Sequence, residues 1–531
     1  SSTPEKTDLF TSFFIRKIHE YERLCKNTSS LRISLPRPTS ILDPRVGTDR
    51  TSGIVIKMLY EGLMRIDMSG KPSPAIAERV ELSQDMKNYR FYLRDALWSD
   101  GTPVTAHDFE YAWKKTLDPD FKTNFAYFFY SIKNARLIKH RMLPQELLGV
   151  RVIDDNILEV ELEHPAPYFL ELTAHWTYSP LCKQIDMKYP GWAYYGDDTF
   201  VSNGPFRLSR FRKNTDIQAI KNTLYWDAKS VELKQIDMSI IENSERALCL
   251  YQNDELDWIG EPLSEMPPLV YKEPAFHEKI QSQPVSCVQW FALNTKALPL
   301  ASKYCRKAMA IALNRKLIID KLMQGEEDPA YSILPPGISR CESQKFTDND
   351  ILQARQLFAQ GLKELNMSQK DVPTLTITLF NQKLMYSVAQ ECAQQWERAL
   401  DISIKIEVLK WEHYIDKCCK HNFQIMASIW YSWFFDPLYT LEHLNGPAHD
   451  LNSTAWHSEE FIQLLSNAQH CKDSTKRDDL LRQAELLAME EMPIIPVSYY
   501  KFKYMKKDHV KNIFISQLGQ IDFKWARLEH P

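Results

Sequence analysis

The chain reads as an α/β protein built of more than one domain, and three features of its sequence say so. Its 531 residues exceed the length over which one core keeps growing, and 44% apolar residues supply side chains for two or more cores. Leu375, Ile377 and Leu379 alternate, then Val388, Cys392, Trp396 and Ala399 fall at helical spacing, then Ile402, Ile404, Ile406 and Val408 alternate again; this is a βαβ unit. A strand over 423–430, helices over 459–470 and 476–490, and a closing strand over 494–500 extend it into an α/β lobe.

The remaining elements follow in chain order. Residues 7–27 predict an amphipathic helix, with Phe10, Phe13, Phe14, Ile18 and Tyr21 near helical spacing. It suits a spacer packed on the body or a contact with a membrane-anchored partner. A strand over 31–35 leads into a loop over 43–53 rich in Gly, Thr and Arg. In the segment Trp98-Ser99-Asp100-Gly101-Thr102-Pro103-Val104-Thr105-Ala106-His107-Asp108-Phe109, Gly101 suits a turn, Pro103 fixes φ, and Thr105 with Asp108 forms a capping box. Phe109, Ala112 and Trp113 then share one helical face. Leu158, Val160 and Leu162 alternate with Glu159, Glu161 and Glu163 as a half-buried strand, entered by a turn at Asp154-Asp155-Asn156. Asp348-Asn349-Asp350 reads as a cap before Ile351.

Composition narrows function. Sixty-five Lys and Arg against 69 Asp and Glu leave a formal charge of -4, with no long basic run, so neither nucleic acid nor an anionic membrane surface is an indicated partner. Only 15 glycines occur, and no G-x-G-x-x-G, P-loop or G-x-S-x-G string, so nucleotide binding and serine-hydrolase chemistry lack their signatures. No run of 18 apolar residues appears. Ten cysteines form no C-x-x-C or zinc-type spacing and suit small core residues. Cys418 and Cys419, read as strand neighbours, would point apart and not bond. His443, His449 and His457 with Glu442 and Asp450 are a concentration of metal-ligand types without an i, i+4 pair, read as a polar loop and not a metal site. No motif places a catalytic couple, so the chain is expected not to be an enzyme.

The Trp98–Phe109 segment, Tyr60-Glu61-Gly62-Leu63, Ser202-Asn203-Gly204-Pro205-Phe206, Arg306-Lys307-Ala308 and Ala312-Leu313-Asn314-Arg315 together resemble the peptide-binding solute receptors of bacterial ABC importers, over about residues 31–527. That resemblance implies a two-lobed periplasmic-binding-protein clamp of the large class, type II-like, with an additional small α/β domain. The divisions are an N-terminal extension over 1–30, a discontinuous lobe I from 31–62, 186–286 and 501–531, an inserted domain over 63–185, and lobe II over 287–500. Hinge crossings are expected near 283–290 and 497–503. It further implies an exported monomer in the periplasm that closes on a peptide or peptide-like ligand and docks on a transmembrane permease, without cofactor or reaction. A removed signal peptide and a lipid anchor before Ser1 belong to that expectation.

Aromatic residues cluster on the strands and strand ends of lobe II, including Phe291, Trp430, Phe434, Phe435 and Tyr500, some of which are ordinary core. By the resemblance Trp290, Trp411, Tyr499 and, from the inserted domain, Phe125 line the cleft. The main chains of Ile429 and Tyr431 hold the ligand as an added strand, with Arg50 opposite. The chain departs from the family where ligand termini are held. Trp433 stands where the peptide binders carry an Asp for the α-ammonium, and Cys418 and Ala427 stand where arginines receive the carboxylate. The half-cystine partner of Cys287 falls at Tyr431, so that disulfide is expected to be missing. Three readings stay open. Asp436 swings in for the ammonium while Arg50 takes the carboxylate; or Trp433 stacks on a blocked, modified or non-peptide solute such as a cell-wall peptide, a glutathione-like peptide or a metal chelate; or the 433–437 loop is shifted by a residue or two. A redox or hydrolytic protein on this fold is the alternative from another class, resting on the cysteines.

Overall fold

A computed structural model describes residues 30–39, 41–47, 49–324, 326–446 and 452–529. The helix expected over 7–27, Cys25, His449 and Asp450 lie outside the described residues. The first strand, β1 (Ser30–Leu35), is followed by helix α1 (Arg50–Leu59). The loop expected to reach residue 53 therefore ends at Asp49, whose carboxylate caps the Ser52 N–H at 2.7 Å. Burial of Ile54, Val55, Ile56 and Leu59 holds that helix and makes Arg50 its first residue.

The next segment builds an antiparallel sheet of β2 (Ala77–Leu82), β3 (Asn88–Leu93), β4 (Val150–Asp154) and β5 (Ile157–Glu161), in the order β2-β3-β5-β4. Helix α2 (Ala106–Thr116) packs beside it, and the Thr105–Asp108 capping box is present. Asp108 also accepts the indole N–H of the fully buried Trp98 at 3.0 Å, and Gly101 turns with φ +88°. The sequence motif around Trp98 is thus a structural corner. The neighbouring motifs act the same way. Asn203 bonds the backbone of Glu61 in both directions, at 3.0 and 2.9 Å, and a Cβ on Gly204 would stand 2.6 Å from the Leu59 carbonyl carbon.

Strands β6 (Phe206–Arg212), β7 (Asp216–Lys221) and β8 (Gln235–Ile240) return to β1, which pairs with β8 in parallel. After β9 (Trp258–Gly260) the long strand β10 (Gln281–Leu293) enters the second lobe. There α3 (Ile351–Glu364), capped by Asp350, precedes the βαβ unit of β11 (Leu375–Phe380), α4 (Lys383–Leu400) and β12 (Ile404–Leu409), with β11 and β12 parallel. Leu375, Ile377 and Leu379 are fully buried, whereas Val408 is 44% exposed, because β12 is the sheet's edge. Helix α5 (Trp411–Cys419) and strand β13 (Ile425–Tyr431) follow, then α6 (Glu459–Gln469), α7 (Ser474–Glu491) and β14 (Ile494–Lys506). Cys418 and Cys419 end a helix, not a strand, and every described cysteine is a free thiol.

The sheet order β9-β14-β10-β13-β11-β12 makes β10 and β14 a paired ribbon running between the lobes. Its ladder is interrupted between Pro284↔Lys501 and Val288↔Tyr499. Residues 284–288 and 499–501, where hinge crossings were expected, are therefore continuous strands with an irregularity, a form that bends where ladder bonds are missing. Arg315, wholly buried, ties lobe II to β14 through the Pro496 carbonyl at 2.8 and 3.0 Å and an ion pair with Asp348 at 2.7 Å.

Candidate functional site: the junction of the lobes

Strand β13 pairs with β10 from Ile425 to Tyr431, but with β11 only through Ile425 and Met426. Beyond that point no strand among the described residues covers its second edge. Ser432 N–H reaches Ser286 O at 2.9 Å, and the Ala427 carbonyl accepts the Tyr414 hydroxyl at 2.8 Å. Alternation along an antiparallel pair then turns the peptide groups of Ile429 and Tyr431 toward the uncovered edge. Their side chains are half-buried although the strand is central, as expected of residues facing an internal space. Cys287 lies directly across from Tyr431, so no cysteine faces it for a disulfide in that register, and its thiol is hydrogen-bonded to the Tyr431 side chain instead.

Arg50 comes to this edge from the N-terminus of α1. Its guanidinium lies 3.6 Å from the Tyr431 ring centroid, 5.4 Å from Trp433 and 5.6 Å from Phe502. One nitrogen, Nη1, donates to Gly519 O at 3.1 Å, while Nε and Nη2 are enclosed without a hydrogen-bond partner. Gly519 has φ +79°, and a Cβ there would stand 3.1 Å from Arg50 Nη2, so this turn admits the arginine. Two unused donors on an enclosed cation are costly unless something else accepts them.

Trp433 is seated among Phe125, His175 and Trp176, at 6.3, 5.3 and 5.4 Å between ring centroids, each contact edge-on. His175 is 2% exposed, and burial holds its imidazole well below its usual pKa. Its Nδ1 accepts the Thr177 N–H at 3.1 Å, which assigns the proton to Nε2, a donor with no partner. The loop after Trp433 is held by Glu171, which accepts the Phe435 N–H at 2.7 Å. Burial raises the Glu171 carboxyl pKa.

Asp436, which one of the three open readings has swing in for a ligand ammonium, is engaged within the protein. It is 4% exposed, pairs with Arg477 through both oxygens at 2.7 and 2.9 Å, and caps the following turn at the Leu438 N–H at 2.9 Å. Its side chain is committed because Pro437 starts a helix that needs a cap. Trp411 opens α5 rather than a strand; it is 56% exposed and packs on Phe380 and Tyr414, outside the Arg50 cluster. Cys418 is half-buried on that same helix, its thiol pushed up to about 11 by burial. Trp290, 2% exposed, stacks on Trp430 on the other face of β13 from Tyr431, and Tyr499 donates to Ser332 O at 3.3 Å. Phe291 belongs to the lobe II core against Trp396, and Phe434 packs on Tyr168.

His443 packs edge-on against Trp430 and Trp290, and His457 pairs with Glu459. Among the described residues no three His, Cys, Asp or Glu converge as a metal-ligand set. An open depression of about 950 Å³ along Glu78, Arg79, Tyr92 and Asp154 lies on the inserted sheet, away from the junction. His175, Trp176, Glu171, Phe502 and Gly519 escaped sequence reading, since they stand far from Tyr431 in the chain and belong to no motif.

Comparison with known proteins follows the same geometry. A family model described as bacterial extracellular solute-binding proteins, family 5 Middle, matches residues 71–452. The oligopeptide-binding protein OppA of Bacillus subtilis is 35% identical, the match covering 94% of this chain and 93% of that protein. The solved OppA of Burkholderia pseudomallei superposes with a TM-score of 0.81 at 27% identity, covering 95% of this chain and all (100%) of the other. A Listeria monocytogenes OppA solved with bound peptide gives 0.79 at 25% identity, over 95% and 100%.

Proposed function

From the premise that the chain belongs to family 5 of the bacterial extracellular solute-binding proteins, we propose that it captures peptides or peptide-like ligands outside the cytoplasmic membrane, in the periplasm, and delivers them to the permease of an ABC importer. The observation that carries this reading is the uncovered edge of β13 at Ile429 and Tyr431, faced by an arginine with two unused donors. An extended ligand adds there as a strand, so that its main chain, common to all peptides, supplies the affinity. Arg50 offers a charge-assisted contact to a ligand carboxylate or carbonyl. Phe125, Trp433 and Tyr431 supply aromatic walls. Hinge bending of the β10–β14 ribbon opens and closes the site. Receptor action of this kind needs no bond-making step and no cofactor, and one chain carries the whole site.

A second reading takes the same clamp as a receptor for a blocked or non-peptide solute. It is favoured by Trp433 standing in an aromatic pocket with Asp436 committed to Arg477. Native mass spectrometry of gently purified protein, with identification of any released molecule, decides between them. A mixture of unmodified peptides supports the first reading. A single blocked or non-peptide species sinks it in favour of the second.

A further inference from the structure

Near Tyr431, where β10 and β14 pair, the carboxylates of Glu261 and Glu327 both lie beside Lys503. Lys503 of β14 is 6% exposed; its ammonium donates to Glu327 Oε1 at 2.9 Å and to the Met323 carbonyl at 3.3 Å. Glu327 is 4% exposed, and its other oxygen, Oε2, has no partner. Glu261, the residue after β9, is held against the Lys503 backbone, N–H to O at 3.0 Å and Oε1 from N–H at 3.4 Å. Its side chain is half-buried, and its carboxyl is also hydrogen-bonded to the Tyr500 hydroxyl.

Three carboxylates, Glu261, Glu327 and Asp328, meet two lysines here, Lys503 at 2.9 Å from Glu327 and Lys501 at 3.7 Å from Asp328 and also facing Glu327. Glu261 faces Tyr500 and Lys503 on β14, Glu327, Tyr271, and the Tyr431 and Cys287 pair on β13 and β10. Of these only Lys503 is cationic, and its ammonium is spent on Glu327. Burial first, then the neighbouring Glu327, pushes the Glu261 carboxyl up to about 8, so it holds its proton at neutral pH until another cation arrives. Arg50 stacks on the Tyr431 ring, and its charge acts on the same Tyr431 and Cys287 that Glu261 faces.

We propose that Glu261 and the unpartnered oxygen of Glu327 receive a primary ammonium or guanidinium group of the ligand, doing from the hinge what no carboxylate at position 433 can do. The proposal rests on the receptor reading above and names the chemistry of its ligand: a cationic group at one end of the site, an acceptor for Arg50 at the other. Proton balance is simple. The ligand arrives as R–NH3⁺ and keeps its proton; Glu261 passes its own to solvent, and the pair that remains is carboxylate and ammonium.

Isothermal titration at pH 7 in phosphate and in Tris, with a free-amine peptide, its N-acetyl form and forms lacking lysine or arginine side chains, tests this on the whole protein. The expected result is release of close to one proton per ligand, about the fraction held by a carboxyl titrating near 8. Glu261→Gln, which matches the neutral form already present, abolishes that release and weakens the cationic ligand roughly tenfold or more. The neutralised ligand is left unaffected by the substitution. Loss on N-acetylation assigns the cation to the ligand's N-terminus; loss only on removal of a basic side chain assigns it there. Glu327→Gln gives a second reading of the same site. Equal affinity for cationic and neutralised ligands, or proton release unchanged in Glu261→Gln, overturns the site and leaves the receptor standing. Failure of every peptide to bind removes both.

Discussion

Replacing Trp433 by alanine tests whether closure of the lobes draws on that ring. Trp433 sits on the lobe II strand end, while Phe125, His175 and Trp176 belong to the other side of the junction, at 6.3, 5.3 and 5.4 Å between ring centroids. Aromatic pairs of this geometry contribute about 0.5–1.5 kcal/mol each beyond their buried area. The histidine contact falls at the low end, so the closed form loses about 2–3 kcal/mol, whereas an opened form has nothing to lose. Ligand binding is coupled to closure, so the dissociation constant rises roughly 30- to 150-fold. Intrinsic fluorescence or calorimetric titration measures it, with small-angle scattering to follow opening. A cycle with Phe125→Ala separates contact between lobes from contact with ligand. Coupling of about 0.5 kcal/mol or more between the two substitutions in the ligand-free opening equilibrium is expected. Affinity within about threefold of the parent, in a variant that unfolds normally, refutes the reasoning.

Two further outcomes follow from the same junction. Asp436→Asn keeps a capping oxygen but leaves Arg477 buried without its counter-charge, and should lower lobe II stability by about 3–5 kcal/mol, read as an earlier urea transition. Adding Arg477→Met should restore most of it, and affinity below the transition should stay within about threefold; a selective loss of binding with normal stability would return Asp436 to the role of ligand anchor. His175 is neutral and buried in the fold, its pKa depressed below the unfolded value near 6.5. The unfolded chain therefore takes up a proton that the folded one refuses, and stability falls as pH drops below about 6.5 toward the folded pKa, by up to about 1.4 kcal/mol per unit. His175→Phe should flatten that part of the stability curve, and an unchanged slope between pH 6.5 and 5 argues against it.

Local pattern alone settled a good deal of this protein. The βαβ unit of residues 375–408, the Thr105 capping box, the turn before Ile157 and the strand read over 423–430 and found at Ile425–Tyr431 rest on near-neighbour rules, in which periodicity and caps decide the outcome within a few residues. The correspondence of Cys287 with position 431 came from the family resemblance, and the strand register sets the two residues opposite each other. Where the reading failed, a tertiary partner decided. Arg50 looked like loop until Asp49 and a buried apolar face made it the start of a helix. Asp436 looked like a free acid until Arg477, 41 positions away, claimed both oxygens. Trp411 looked like a strand-end aromatic of the cleft and instead opens an exposed helix. The site's remaining members were beyond any pattern. His175, Glu261, Lys503 and Gly519 stand far apart in the chain and gather around Arg50, Tyr431 and Trp433 only in the fold. Orphan donors on Arg50 and a second carboxylate beside Lys503 are facts of enclosure, and enclosure is a property of three dimensions that no single segment records.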